Sequence, residues 1–342
     1  MGFVKKTAAV LAAAALLLTG TASIYAQTPA NLMVLGDSIA TGYGLEGYTA
    51  GKNDSAAGSF ANMLYADMKK GGCKTYNNYA VDGMTAQALV EHLGSAASPE
   101  IINEEGSRNV IVLSIGGNDL LNPLYGAIGK AIESQKSTLE LMGVTVDTST
   151  PEATMATLNS AVSADKTGTV LSALQVLAAT PENWADVVAA TGTFDTNFDG
   201  IAKALYANDP NAEIYVLTVY NPFEGVPGLE MLSAASESVI TSLNAVITKR
   251  AAEYNAAGKH MTVVDVNSAF KGKAPLLTNM SRLDIHPNAA GHQLISQLLI
   301  ASVGGTPVPV TGRNETLPMV VLIVSLGTAL LTRPKKMTAK AQ

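Results

Sequence analysis

The sequence predicts an α/β fold with one parallel sheet and helices on both faces. Two observations predict it. Short runs rich in β-branched and aromatic residues alternate with longer stretches of helical periodicity, and each short run ends in turn-forming or polar residues, as a parallel strand does before its crossover. The candidate strands are Leu32 to Leu35, Thr75 to Ala80, Val110 to Ile115, Glu213 to Val219 and Met261 to Val266. Five such strands suit a flavodoxin-like three-layer sandwich of order 2-1-3-4-5, whose ligand crevice lies beyond the carboxyl ends of strands one and three. At 342 residues, 47% hydrophobic and 15% charged, the chain is large enough for one such core.

The helices follow from periodicity and stop signals. Gly58 to Lys70 opens behind Ser55, and Glu237 to Asn255 runs up to Ala256-Ala257-Gly258. A last amphipathic helix from Asn288 to about Val303 is expected to pack Leu294, Leu298 and Ile300 on the sheet. The span from Leu121 to about Asp209 exceeds what a simple crossover needs and reads as a helical insertion. Its periodic segments are Leu121 to Leu141, Pro151 to Val162, Thr169 to Ala179, Asn183 to Ala190 and Phe198 to Tyr206, with Trp184 among them.

The two termini read as processing and anchoring segments. Lys5 and Lys6 precede an apolar stretch from Thr7 to Leu18, and small residues lead to Ala26, the pattern of a secretory signal peptide over 1–26. Residues 27–303 then form the folded domain. A Gly/Pro/Thr-rich linker over 304–316 is followed, in 317–342, by an uncharged run from Leu317 to Leu331 and the basic residues Arg333, Lys335, Lys336 and Lys340. Basic flanks stay cytoplasmic, so the domain is expected to face outward from a transmembrane segment. Val308-Pro309-Val310-Thr311-Gly312 in that linker resembles the cell-wall sorting signal of Gram-positive bacteria, with Val308 in place of the usual leucine. The resemblance implies signal peptidase and sortase as processing partners and a cell-wall or membrane location outside the cell. A plain membrane anchor is the other reading of the same residues.

Cys73 is the only cysteine, so no intrachain disulfide is available. A net charge of −6 without a basic block between the termini gives no footprint for nucleic acid.

Four pieces lie at the ends of predicted strands, in chain order. They are Gly36-Asp37-Ser38 after strand one, Asn78 to Gly83 after strand two, Gly116-Gly117-Asn118-Asp119 after strand three, and Asp284-Ile285-His286-Pro287 before the last helix. A serine on a glycine turn and a distant histidine are the halves of an activated nucleophile, because an unassisted hydroxyl is a weak one at neutral pH. Gly83 offers a backbone N–H with no side chain in the way, Asn118 a side-chain amide, and Ser38 its own N–H. Donors held on rigid strand ends meet a developing oxyanion without reorganising, each worth about 3 kcal/mol.

This set resembles the GDSL or SGNH hydrolases over about residues 31 to 303. The resemblance implies Ser38 as nucleophile, His286 as general base, and Ser38, Gly83 and Asn118 as the oxyanion hole. Relatives include lipases, thioesterases, lysophospholipases and sugar deacetylases. The family's supporting carboxylate sits three positions before the histidine, where this chain has Leu283. Asp284, two before, is the candidate third member, with a helix-capping role or a Ser–His dyad as alternatives. Asp37 is read as holding the turn, and Asp82 and Asp119 as turn residues beside the site.

The expected activity is cleavage of carboxylic esters through an acyl-enzyme. The Ala- and Leu-rich insertion suits a lid over a lipid acyl chain, and acetylated polysaccharide is the alternative substrate. A non-catalytic surface-binding module with the same fold is the rival from another class.

Other patterns fail on context. Gly36-x-Ser38-x-Ala40 approaches the nucleophile elbow, but its serine follows the first strand. Gly42-x-Gly44-x-x-Gly47 matches a dinucleotide fingerprint, yet Asp67, about twenty residues on, lies within a helical pattern, so these glycines read as a loop beside Ser38. His92, His260 and His292 form no metal-ligand spacing, and neither metal nor cofactor is expected.

Overall fold

The computed structural model describes residues 30–96, 98–100, 106–164, 185–227, 229–282 and 284–304. The terminal segments, the sorting-like motif, Trp184 and the predicted helix Thr169 to Ala179 lie outside the described residues. No helix among the described residues is long and apolar enough to cross a membrane.

Five strands, β1 (Ala30–Gly36), β2 (Thr75–Asn78), β3 (Arg108–Ser114), β4 (Glu213–Leu217) and β5 (His260–Val264), form one sheet of order β2-β1-β3-β4-β5. Every pairing is parallel. Alternation along the central strands feeds two cores. Met33, Leu35, Ile111, Leu113, Ile214 and Val216 face one side. Leu32, Val34, Val110, Val112, Tyr215 and Leu217 face the other. Strands buried on both faces read as continuous apolar runs, which is why these were legible.

The helices are α1 (Ser38–Thr41), α2 (Phe60–Lys70), α3 (Ala86–Leu93), α4 (Gly117–Ser134), α5 (Lys136–Leu141), α6 (Pro151–Ala164), α7 (Ala185–Asn208), α8 (Glu230–Ala256), α9 (Val266–Phe270), α10 (Ala274–Leu277) and α11 (Ala289–Val303). Helices α3, α4, α7 and α8 cover the first face, while α2, α9 and α11 cover the second. The insertion joins this packing. Phe194, Phe198, Ile201 and Leu205 of α7 share one core with Leu35 and Ile111.

Several boundaries differ from expectation. Helix α2 starts two residues later, because Ser59 and not Ser55 takes the cap position and accepts from Asn62 N at 3.2 Å. Helix α7 runs unbroken from Ala185 through Gly192 to Asn208, where two helices were predicted. Its Val187, Phe194, Phe198 and Leu205 fall on one buried stripe, and tertiary burial outweighs the glycine's cost of about 1 kcal/mol. In α11 the buried residues are Gly291, His292, Ile295, Ser296, Leu299 and Val303, and Leu294, Leu298 and Ile300 are half-buried. The last three pack against the second-face core as expected, and Gly291 abuts the chain at Leu277, where a Cβ would meet the carbonyl oxygen at 2.2 Å.

Helix α11 also buries an imidazole. His292 Nδ1 accepts from Phe60 N at 3.2 Å and its ring stacks on Phe60, while Nε2 has no partner among the described residues. Burial, with the nearby His286, lowers its pKa from 6.5 to about 3. The unfolded chain therefore takes up this proton first, and stability falls as pH drops from about 6.5 toward 3. Urea unfolding is expected to show about 2 kcal/mol lost between pH 7 and pH 5 through this group. His292→Gln should flatten that slope; an equal slope in both proteins would contradict the assignment.

Candidate active site

The site sits at the carboxyl ends of β1 and β3. Gly36 has φ of 146°, and a Cβ there would lie 2.1 Å from Ser114 O, so only glycine lets the chain leave the sheet so close to β3. Asp37 N donates to Ser114 O at 3.1 Å. The Asp37 carboxylate then caps α1 by accepting from Ile39 N at 3.0 Å, which places Ser38 at the first helical position. Burial pushes the Asp37 carboxyl from 3.8 to about 7, and its residue is 2% exposed. Its place is beneath the turn, not against solvent.

His286 comes from the other end of the sequence on a turn tied down at many points. Asn279 N donates to His286 O at 3.0 Å, Asn288 N to Leu277 O at 2.9 Å, and the Tyr220 hydroxyl to Ile285 O at 2.7 Å. Across 248 positions, His286 Nε2 and Ser38 Oγ meet at 2.9 Å. His286 Nδ1 lies 2.5 Å from Asp284 Oδ1.

Asp284 reaches the ring in spite of its short spacing. The same Oδ1 accepts from His286 N at 3.0 Å, the Asx-turn arrangement in which a side chain folds back onto the backbone two residues on. Burial alone would raise the Asp284 pKa, but the bonds from the His286 ring and backbone, the imidazole charge and Asn279 outweigh it and hold the carboxyl below 3.8. An ionised Asp284 accepting from Nδ1–H leaves the Nε2 lone pair facing the serine, so the Ser38 hydroxyl donates to it. Such a chain can draw the proton from an attacking hydroxyl.

Donors gather beside it. The pairing of β2 with β1 continues as Tyr79 N donates to Val34 O at 2.8 Å and Val81 N to Gly36 O at 3.0 Å, which lays residues 79–83 along the Ser38 turn. Asn53 Nδ2 clamps this loop through Asn78 O and Ala80 O. Gly83 has φ of 76° and open space where a side chain would stand. Asn118, in the first turn of α4, donates from Nδ2 to Met84 O at 3.0 Å, which leaves its second N–H for another acceptor. Among the described residues, the Ser38 and Gly83 amides have no partner.

The neighbouring acids have structural employment. Asp119 accepts from Ala86 N at 3.0 Å, and Asp82 accepts from Thr41 Oγ1 at 2.6 Å and from the Tyr48 hydroxyl. Gly42, Gly44 and Gly47 lie on the loop after Ser38, and a Cβ at Gly44 would come within 3.6 Å of Asp284 Oδ2. His260 is exposed and His92 half-buried.

Sequence reasoning missed Tyr43, whose ring lies 4.5 Å from the His286 ring and is 40% exposed. It also missed Tyr220, which pins the histidine turn. Neither carries a local motif, since both act through contacts between distant segments.

A hydroxyl activated by imidazole at the crevice of a parallel sheet, with amides free to receive an oxyanion, defines the class of ester hydrolases. The chain is one of them: the model of the GDSL-like lipase/acylhydrolase family matches residues 34–294, and the chain belongs to that family. Among curated proteins none matches it. Solved structures similar to it include an extracellular lipase from Streptomyces rimosus, 19% identical over 80% of this chain and 99% of that one, with a TM-score of 0.48. Phospholipase A1 from Streptomyces albidoflavus NA297 is 18% identical over 80% and 98%, with a TM-score of 0.47. A Clostridium thermocellum family 3 carbohydrate esterase is 16% identical over 80% and 98%, with a TM-score of 0.40.

Proposed function

We infer that the protein cleaves carboxylic acyl esters through an acyl-enzyme on Ser38, with His286 as general base and Asp284 as the group that orients it. The single observation that carries this reading is the unbroken contact from Asp284 Oδ1 through His286 to Ser38 Oγ, at 2.5 and 2.9 Å.

The chemistry follows from the atoms. Nε2 takes the hydroxyl proton as Oγ bonds to the ester carbon. The carbonyl oxygen gains charge and is held by the Ser38 N–H, the Gly83 N–H and the free N–H of Asn118. Collapse breaks the bond to the alcohol oxygen, which leaves with the proton from the imidazolium. Water, deprotonated by the same nitrogen, then attacks the acyl carbon and restores Ser38. No step calls for a cofactor.

Partitioning tests the acyl-enzyme directly. Esters of one acid with different alcohols, hydrolysed in the presence of methanol, should give one constant ratio of methyl ester to free acid, because all pass through the same intermediate. A ratio that varies with the leaving alcohol would mean that water attacks the substrate itself.

The termini support a surface enzyme as part of the same reading. The signal-peptide pattern over 1–26, the apolar run over 317–331 and its basic flank support a reading in which residues 27–303 lie outside the cell, on a wall or membrane anchor. Cleavage between Thr311 and Gly312 would give a surface-released protein lacking the Arg333 tail. A mass that includes the tail would leave the plain membrane anchor.

A further inference from the structure

An apolar cavity of about 70 Å³ lies beside the turns that carry the site. At one end its walls are the immediate neighbours of the proposed machinery: Asp37 and Ile39 flank Ser38, Gly117 precedes Asn118, and Ile285 precedes His286. Elsewhere it is walled by Leu120 and Leu124 of α4, Val187 of α7, Phe223, and Val239 and Ile240 of α8. The helical insertion contributes Leu121, Leu124 and Val187 to this wall, and most of the other lining side chains are apolar.

One polar group breaks this lining. Ser236 on α8 is 5% exposed, faces the cavity, and its hydroxyl has no hydrogen-bond partner among the described residues. A helical serine ordinarily has a solution at hand, the carbonyl four residues back. Ser242 and Thr248 of the same helix use it, donating to Ser238 O and Asn244 O. Ser236 does not. A buried hydroxyl left unpaired costs stability in the free protein, and that cost is returned when a ligand brings a partner.

We propose that this cavity receives the acyl chain of the ester and that Ser236 reads an oxygen function carried within that chain, so that the preferred acyl donor is an oxygenated chain of medium length. The proposal rests on the acyl-enzyme reading above. Apolar walls take the methylene groups. The hydroxyl donates to an in-chain carbonyl, or pairs with an in-chain hydroxyl, at one depth only. A plain alkyl chain fills the same space and leaves Ser236 unpaired, which is the situation that discriminates against it.

The test compares kcat/KM for p-nitrophenyl acetate, p-nitrophenyl octanoate and a series of p-nitrophenyl oxo-octanoates whose carbonyl moves along the chain one carbon at a time. The wild-type protein should favour one member of the series over octanoate by about tenfold. In Ser236→Ala that ratio should fall to near one, with a melting temperature no lower than wild type, since the lost hydroxyl had no partner to lose. Val239→Phe, which narrows the cavity, should cut the octanoate-to-acetate ratio about tenfold, and acetate turnover reports that the variant is folded. The proposal is overturned if no oxo-octanoate outruns octanoate, if the preference survives in Ser236→Ala, or if Val239→Phe leaves the octanoate-to-acetate ratio unchanged. Failure of the underlying reading looks different: acetate turnover would persist in Ser38→Ala.

Discussion

Ser38→Ala is expected to lower kcat for a p-nitrophenyl ester by at least about 10⁴-fold while the protein remains folded. The size follows from what the hydroxyl does. Oγ is the only atom in the site placed to bond with an acyl carbon, and its one hydrogen bond runs to His286 Nε2. The fold does not depend on it. The local structure is held by the Asp37 cap, by Thr41 Oγ1 donating to Ser38 O at 3.0 Å and by Tyr43 N donating to the same oxygen at 3.1 Å. All of these survive the substitution. Residual turnover would come from oxyanion donors and positioning alone. Circular dichroism checks the fold and ester turnover checks the loss. A variant keeping a tenth of wild-type activity would place the nucleophile elsewhere.

Asp284→Ala is expected to cost about 10³- to 10⁴-fold in kcat. Two bonds disappear together, from Nδ1–H and from His286 N, and both end on the same oxygen. Without the first, the imidazole is free to carry its proton on Nε2 and present no lone pair to Ser38. Without the second, the turn loses its Asx closure. Asp284→Asn separates these effects, because its side-chain oxygen can still accept from His286 N but carries no charge to stabilise the imidazolium. The asparagine variant should therefore keep the Asx closure, lose only the part of the stability that the Asp284 charge supplies, and still lose most of its turnover. Stability from Asp284 itself is present above its ordinary 3.8 and is lost as pH falls through its lowered native value. A loss under about tenfold in both variants would leave a Ser–His dyad.

The sheet was legible because its central strands are buried on both faces. Leu32 to Leu35 and Val110 to Ile115 stand out as apolar runs whatever surrounds them, and the chemistry-bearing turns follow their ends. What stayed hidden depends on tertiary contact. Ser55 and Ser59 are equally good caps in sequence, and only packing of Phe60 chooses between them. Gly192 looks like a break until Phe194 and Phe198 are seen to need one continuous helix. The close pass of Gly291 by Leu277, a contact 14 residues away in the chain, gave no local signal.

Site residues divide the same way. Ser38, Gly83, Asn118 and His286 stand beside strand ends or a helix start, so their types and order spoke for them. The reach of Asp284 did not, since two-residue spacing works only when the carboxylate folds back over its own turn. The buried, unpaired Ser236 gave no signal either: on the sequence it is one more helical serine.

The account stands on the Ser38 hydroxyl being activated by His286, and reaction with a fluorophosphonate measures that most directly. The prediction is a single adduct per chain, mapped by peptide mass to Ser38, whose rate of formation falls at least a hundredfold in His286→Ala. An adduct on another residue, or a rate that does not depend on His286, would contradict it.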